Sequence, residues 1–309
     1  MRLAFLLVTL ALAADAASDA APQCKLIRIA EWRVRNDYYR PVVDGAINSQ
    51  KVSVLLDTGS SVSLIQRSVA TRLRLPRIAV EGTSLESALV QEFRIGKAAR
   101  DNWRVLVTGE HDFGDDLAVM IGDDFFQQTD VEFDLPHNAV RLYQPKDCAG
   151  APLAYWTRQA LEVPIEAGEK IRLAVAINGK PVRALLDSSA FRSLLAQTEV
   201  ARLGITPQSP GAAAAGCARG FGTRLVDSWS APFESFAIGA ETIRNPTLRF
   251  ADLWQETPDA GTLPQMLLGA DFLRSHRVLV SRSQGKMYFT YEGGTVFPGA
   301  TPWGCNAPR

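Results

Sequence analysis

Residues 52–64 read Val-Ser-Val-Leu-Leu-Asp-Thr-Gly-Ser-Ser-Val-Ser-Leu, and residues 182–194 read Val-Arg-Ala-Leu-Leu-Asp-Ser-Ser-Ala-Phe-Arg-Ser-Leu. Both stretches contain Leu-Leu-Asp after an apolar run, which aligns Asp57 with Asp187. The same offset joins Ala-Ile-Asn at 46–48 to Ala-Ile-Asn at 176–178, and it persists to Leu73 and Leu203. Identity over a whole supersecondary unit indicates that the chain contains a duplicated lobe.

The order of local signals persists beyond the shared unit. Matched pairs are Phe93-x-Ile95-Gly96 with Phe236-x-Ile238-Gly239, and Ile121-Gly122-x-Asp124-Phe125 with Leu268-Gly269-x-Asp271-Phe272. We therefore expect a signal peptide at about 1–17, an N-terminal lobe at 18–150 and a C-terminal lobe at 151–309.

Both copies are predicted to be mainly β. Val, Ile, Leu, Phe and Tyr recur in short runs separated by turn residues, which favours strands. Three- to four-residue spacing of apolar residues predicts helices only at 66–75 and 196–203. The Gly- and Ala-rich stretch 209–222 has almost no periodicity and is interpreted as a mobile surface segment.

Composition and the N-terminus limit the classes of partner. The 309 residues carry 33 basic and 33 acidic side chains, so no charge excess is available to attract nucleic acid or an anionic membrane. The chain begins with Met1-Arg2, an apolar run and then small residues, the pattern of a secretory signal. No later stretch approaches the roughly 20 apolar residues that a stable membrane anchor needs. We predict export to the periplasm or the medium.

Four cysteines in an exported chain favour two structural disulfides. Cys24, Cys148, Cys217 and Cys305 allow three pairings, and the sequence does not choose among them. Because none lies in a Cys-x-x-Cys pair or close to a histidine, the sequence gives little support for zinc or redox chemistry.

The repeated aspartates are the candidate catalytic groups. A carboxylate at the end of a buried strand is costly to ionise unless donors surround it, and Thr58, Ser60 and the backbone at Gly59 are candidate donors. If the lobes pair about a pseudo-twofold axis, Asp57 and Asp187 meet and share one proton. One then acts as general base on a water molecule and the other as general acid toward a peptide carbonyl. Such hydrolysis requires neither a metal nor a cofactor.

The segment from Leu55 to Ser61, with Met120-Ile121-Gly122 downstream, resembles the catalytic turn and the apolar-apolar-Gly segment of retropepsin-like aspartic proteases. The resemblance implies an all-β, bilobal acid-protease fold with two homologous retropepsin-like β-barrel lobes and short helices. It implies an exported endopeptidase that works as a monomer on a polypeptide in extended conformation, with flaps near 79–93 and 209–229.

Residue roles follow from the same resemblance. It makes Asp57 and Asp187 the catalytic pair, with Ser60 in the supporting turn. Thr58 and Ser188 match the hydroxyl residues that interlock beneath the pair, and Gly59 matches the glycine whose backbone approaches substrate. Gly122 and Gly269 match glycines that let a neighbouring strand cross close to each turn, where no side chain fits.

One departure leaves a second reading open. The family pattern has glycine after the second hydroxyl residue, whereas this chain has Ser189, followed by Ala190 and Phe191. The alternative is a catalytically inactive, protease-derived peptide-binding or scaffold protein. In a further alternative Asp187 only caps a local turn, and in a third the first lobe dimerises.

Other polar groups are interpreted as structural. His111, His137 and His276 are expected at the surface or in loops, because no serine-hydrolase or zinc-hydrolase motif accompanies them. Two acidic pairs, 115–116 and 123–124, lack the spacing of a calcium loop and are interpreted as solvated charge near a helix start.

Overall fold

The computed structural model describes residues 24–109, 116–219, 225–254 and 263–299. The predicted signal peptide at 1–17 lies outside the described residues, as do Cys305, His111 and Asp115. Within the described part of the chain, no helix is long and apolar enough to span a bilayer.

The first half of the chain contains ten strands, two short α-helices and a 3-10 turn at Leu135–His137. Its elements are β1 (Lys25–Arg33), β2 (Val42–Ile47), β3 (Gln50–Leu56), β4 (Leu64–Ile65), α1 (Arg67–Arg72), β5 (Arg77–Ala79), β6 (Glu86–Ile95), β7 (Ala98–Val107), β8 (Val119–Ile121), α2 (Asp123–Phe126), β9 (Asp130–Asp134) and β10 (Ala139–Lys146).

The second half repeats this order with two of the long strands divided. Its elements are β11 (Leu161–Pro164), β12 (Arg172–Ile177), β13 (Lys180–Leu186), β14 (Leu194–Ala196), α3 (Gln197–Arg202), β15 (Ala213–Arg219), β16 (Leu225–Pro232), β17 (Ser235–Ile238), β18 (Glu241–Arg244), β19 (Thr247–Ala251), β20 (Met266–Leu268), α4 (Ala270–Ser275), β21 (His276–Ser281) and β22 (Lys286–Tyr291).

The first lobe is a closed β-barrel. Its strands follow the order β2-β3-β8-β4-β7-β6-β5, and an additional pairing of β2 with β6 closes the sheet. The hairpin β2–β3 turns at Asn48 and Ser49, both with positive φ (47° and 65°), as a tight two-residue hairpin requires. Alternate residues of β3 and β6 point into an apolar core.

The strands of the second lobe pair in the equivalent order, β16-β19-β14-β20-β13-β12-β17. Its hairpin β12–β13 turns at Asn178 and Gly179, again with positive φ, at positions equivalent to Asn48 and Ser49. Strand β6 of the first lobe corresponds to β16 and β17 of the second, and β7 corresponds to β18 and β19. In the second lobe each of these long strands is divided in two near a proline, Pro232 in the first case and Pro246 in the second. Two β-barrel lobes with short helices are therefore the observed architecture.

A six-stranded antiparallel sheet joins the lobes, in the order β1-β10-β9-β21-β22-β11. β9 of the first half pairs with β21 of the second, with Phe133 opposite Val278. Glu132 is fully buried in this sheet and accepts hydrogen bonds from Arg141, Arg277 and Tyr155. Because a buried carboxylate is costly unless it is paired, this network fixes the register between the lobes.

One disulfide connects Cys24, just before β1, to Cys148, just after β10. The bond therefore secures the edge strand β1 to its neighbour. Cys217 is also disulfide-bonded.

Three local expectations are wrong. Residues 213–219 form strand β15, paired with β16, rather than a mobile segment, because backbone pairing to a neighbouring strand overrides weak side-chain periodicity. His276 is fully buried, bonded to Phe272 O and Glu241. Asp123 is buried and paired with Arg282 of the second lobe instead of being solvated, because the start of α2 packs against the other lobe.

Candidate active site

The equivalent strands β3 and β13 are each followed directly by an aspartate, Asp57 or Asp187. β3 pairs in parallel with β8, and the backbone N–H of Asp57 donates to Ile121 O at 2.8 Å. In the second lobe β13 pairs in parallel with β20, and the Asp187 N–H donates to Leu268 O at 2.9 Å. The two carboxylates are therefore held at equivalent positions by central strands of the two barrels.

A glycine at the end of each crossing strand is required by close approach. A Cβ on Gly122 would lie 2.5 Å from the carbonyl carbon and oxygen of Val62. A Cβ on Gly269 would lie 2.7 Å from Ala190 O and 2.8 Å from the carbonyl carbon of Arg192. Because these are backbone atoms of the turns, any side chain at either position would push the turn away from the strand.

The two turns interlock through a symmetric set of four hydrogen bonds. The Thr58 hydroxyl donates to Leu186 O at 2.7 Å and accepts from the Ser188 N–H at 3.0 Å. The Ser188 hydroxyl donates to Leu56 O at 2.7 Å and accepts from the Thr58 N–H at 3.0 Å. Both side chains are fully buried. Since each hydroxyl bonds only groups of the opposite lobe, the interlock aligns the two turns with each other.

The inner carboxylate oxygens have matched but unequal donors. Asp57 Oδ1 accepts from the N–H groups of Gly59 and Ser60 at 2.8 and 3.0 Å. Asp187 Oδ1 accepts from the N–H groups of Ser189 and Ala190, both at 3.0 Å, and also from the Ser189 hydroxyl at 2.9 Å. Asp187 Oδ1 therefore has one more hydrogen-bond donor than Asp57 Oδ1, and this donor favours the charged form of Asp187.

The carboxylates are close enough to influence each other's titration. A Cβ on Gly59, in the turn of Asp57, would lie 2.5 Å from the Asp187 carboxyl carbon. Burial, followed by the neighbouring charge of Asp187, raises the pKa of Asp57 to about 7. Burial also raises the pKa of Asp187, whereas the hydrogen bonds from Ser189 and Ala190 oppose that rise. The pair can therefore share one proton near neutral pH.

A serine hydroxyl stabilises each turn through two hydrogen bonds. Ser63 Oγ donates to Asp124 at 2.7 Å and accepts from the Gly122 N–H. Ser193 Oγ donates to Asp271 at 2.6 Å and accepts from the Gly269 N–H. The sequence contained the signal, because Ser63 and Ser193 match at the repeat offset and both Gly-x-Asp segments recur, but the contact itself was not predicted.

Lys170 is a second group that the sequence analysis missed. It precedes β12 in the second lobe, and its Nζ donates to Gly59 O in the Asp57 turn of the first lobe. The repeat offset aligns it with Arg40, which precedes β2. Because the two residues are basic but not identical, a search for identities passes over them.

Two clefts of the described surface lie away from the aspartate turns. One, of about 950 Å³, is lined by Trp156, Arg277 and Tyr291 among others, and one of about 740 Å³ by Arg35 and Lys51 among others. Neither is lined by a residue of the two aspartate turns. In the described ranges, no cluster of three or more His, Cys, Asp or Glu side chains is arranged to hold a metal ion.

Two β-barrel lobes that each bring an aspartate turn to their interface define the class of bilobal acid-protease folds. A family model described as aspartyl protease matches residues 43–125 and 173–272, together more than half of the chain, and the chain belongs to this family. Both aspartate turns lie inside the matched residues. The search of curated proteins found no significant match.

Proposed function

We propose that this protein is an exported aspartic endopeptidase that hydrolyses peptide bonds with a water molecule activated between Asp57 and Asp187. The observation that supports this proposal most strongly is the pair of adjacent, buried carboxylates, each at the end of a central strand and linked by the interlock of Thr58 and Ser188. Membership of the aspartyl protease family agrees with it.

The unequal hydrogen-bond donors support different roles for the two carboxyl groups. Asp187 accepts three hydrogen bonds at Oδ1 and acts as the charged general base that removes a proton from water. Asp57, with its raised pKa, carries the shared proton and donates it toward the peptide carbonyl oxygen. As the tetrahedral gem-diol collapses, Asp57 takes back a proton from one of its hydroxyl groups, the C–N bond breaks and Asp187 passes its proton to the leaving amine. The pair is then again singly protonated.

Substrate binding is proposed from the surfaces beside the turns. Val62 and Phe191 are large apolar side chains that remain exposed, one beside each turn. Hairpins occupy the regions where flaps were expected, β5–β6 in the first lobe and β15–β16 in the second. An extended polypeptide would lie between them and bond through its backbone to strand edges.

Export is proposed from two observations. The N-terminal sequence has the pattern of a secretory signal. The disulfide between Cys24 and Cys148 is of the kind that persists in oxidising compartments. We propose the periplasm or the medium as its location and a monomer as its working form.

The second candidate function is a peptide-binding protein that retains the groove without the chemistry. Ser189 favours it, because its hydroxyl hydrogen-bonds Asp187 directly and occupies space beside the carboxylates that glycine would leave open. In that case the hydroxyl would take the place of the water molecule that the mechanism needs.

The test is cleavage of fluorescein-labelled casein by the purified chain between pH 3 and 8. We expect Asp57→Asn and Asp187→Asn each to lower kcat/KM by about 10³-fold or more while the far-ultraviolet spectrum stays unchanged. Asp101→Asn, at an exposed position on β7, is the matched control and should retain wild-type activity. Activity that survives Asp57→Asn would refute the mechanism, and a folded wild type that binds casein without cleaving it would favour the second candidate.

A further inference from the structure

The segment 168–170 of the second lobe lies against the catalytic turn of the first. Lys170 Nζ donates to the backbone oxygen of Gly59, two residues after Asp57. Arg282 from the β21–β22 turn holds the segment from behind, bonding Gly168 O at 3.3 Å and Glu169 O at 2.8 Å. The position of Lys170 is therefore fixed from both sides and does not depend on its own flexible side chain alone.

Four acidic groups and one basic group surround Lys170. Burial lowers its pKa, and the charges of Asp57, Asp123, Asp187 and Glu169 oppose that change, with Asp57 contributing the most of the four. Asp123 is itself paired with Arg282, so its charge is already compensated. Glu169 is exposed, so its charge is screened by solvent, and the aspartate pair supplies the buried negative charge near Lys170.

A positive charge at this place has a definite effect on the pair. It favours ionised carboxylates, and Lys170 does lower the pKa of Asp187. Both proton-binding steps of the pair therefore occur at lower pH than they would without the lysine. The hydrogen bond from Lys170 is made to the same turn whose backbone N–H groups donate to Asp57. That turn also provides Ser60 O, which accepts a hydrogen bond from the first residue of the helix that follows β8.

We propose that Lys170 is a positioning residue of the aspartate pair: it holds the first catalytic turn through Gly59 O, and its charge sets the pH range over which the pair carries a single proton. This inference rests on the proposed peptidase function for its consequence in catalysis. It adds a third charged group, supplied across the lobe interface, to the two carboxylates.

The first experiment compares pH profiles of kcat/KM on fluorescein-labelled casein for wild type, Lys170→Met and Lys170→Arg. Lys170→Met should move both the acidic and the alkaline limb to higher pH by about one unit, because the carboxylates then bind protons more tightly. Lys170→Arg keeps the charge and should keep the limbs close to those of wild type. If Lys170 only braces the turn, Lys170→Met will lower kcat at every pH without moving either limb, which would overturn the electrostatic role. Lys180→Met, at an exposed position on β13, is the matched control and should leave the profile unchanged.

The second experiment does not depend on activity. Carbon-13 NMR of aspartate-labelled protein follows the Asp57 carboxyl, assigned by its loss in Asp57→Asn. Its titration midpoint should rise by about one pH unit in Lys170→Met and stay near wild type in Lys180→Met. An unchanged midpoint would overturn the inference. A shifted midpoint in a protein that never cleaves casein would support Lys170 and refute the proposed function, so the two failures are distinguishable.

Discussion

The two aspartate turns share one framework and differ in their side chains. Both have the reciprocal hydroxyl interlock, backbone donors to Oδ1 and a crossing glycine. After the aspartate all five positions differ: Thr58, Gly59, Ser60, Ser61 and Val62 correspond to Ser188, Ser189, Ala190, Phe191 and Arg192. The shared contacts all involve backbone atoms, so both copies of the lobe retain them. The differences lie in side chains, which can change the chemistry of the turn without changing the fold.

These side-chain differences make the surroundings of Asp57 and Asp187 unequal. Ser189 adds a donor to Asp187 that Gly59 cannot supply to Asp57. Phe191 packs on Tyr39 with ring centroids 4.5 Å apart, and Arg192 donates to the Tyr39 hydroxyl at 3.0 Å. The second turn is therefore anchored to the segment that precedes β2, although Phe191 remains exposed, as Val62 of the first turn does. A pseudo-symmetric fold thus places an asymmetric pair of carboxylates at its centre.

The largest effect is expected from adding one carbon to the first turn. In Gly59→Ala the new Cβ would overlap the Asp187 carboxyl, 2.5 Å from its carbon, and displace it. We expect kcat/KM on labelled casein to fall by about 10²-fold or more, as misplacement of a catalytic group by about 1 Å does. Ser189→Ala, the matched change in the second turn, keeps a Cβ that the fold already accommodates and should cost less than about tenfold. Equal losses in both variants would refute the steric difference between the turns.

The pH dependence of stability should reveal the shared proton. The folded-state pKa of Asp57, about 7, lies above its ordinary value of 3.8, so between these values the folded protein binds a proton that the unfolded chain has released. Stability is therefore fully present below about pH 4 and declines as the pH rises through 7, by at most about 4 kcal/mol from this group. Urea midpoints measured from pH 4 to 8 should fall for wild type and fall less for Asp57→Asn. A midpoint that rises with pH to the same extent in both proteins would contradict the assignment.

The interlock should contribute to stability equally from both sides. Thr58→Ala removes the donor to Leu186 O and the acceptor of the Ser188 N–H, and Ser188→Ala removes the equivalent bonds. Each variant should lose about 1–3 kcal/mol in urea unfolding, because buried groups are left unpaired. The double variant should lose less than the sum, since the side chains act on each other's turn. Thr58→Ser and Ser188→Thr are the conservative controls, and strict additivity would contradict the coupling.

The smallest effect on kcat/KM is expected from Ser189→Gly, which places glycine at the third position of both turns. Ser189→Gly removes the hydroxyl that lowers the pKa of both carboxyls. The limbs of the kcat/KM profile should move to higher pH by less than about one unit, with activity at the optimum within about tenfold of wild type. A silent wild type that becomes active as Ser189→Gly would instead show that Ser189 blocks the chemistry and would favour the peptide-binding function.

Much of the fold followed from local patterns. Helices α1 and α3 lie inside the predicted helical stretches 66–75 and 196–203, and strands predominate in both lobes as expected. These elements are governed by short-range periodicity, which any window of the sequence carries. The strand β15 did not follow, because a Gly- and Ala-rich segment becomes a strand only through its partner β16.

The sequence also predicted only part of the candidate site. The repeat located Asp57 and Asp187, and the resemblance supplied roles for Thr58 and Ser188 that remain predictions. Lys170 and the ion pair of Asp123 with Arg282 were missed, because each joins residues more than 100 positions apart across the lobe interface. No local pattern distinguishes such a lysine from a solvated one.

By itself, the sequence determined the duplication, the predominance of strands and the two positions at which a carboxylate follows a buried strand, since all three depend on neighbours within a few residues. Only the tertiary structure decided that Cys24 pairs with Cys148 and that Lys170 reaches the turn of the opposite lobe. The physical reason is that these contacts form where surfaces from distant segments pack together, and their geometry is set by the packing of whole lobes and not by the residues adjacent in the chain.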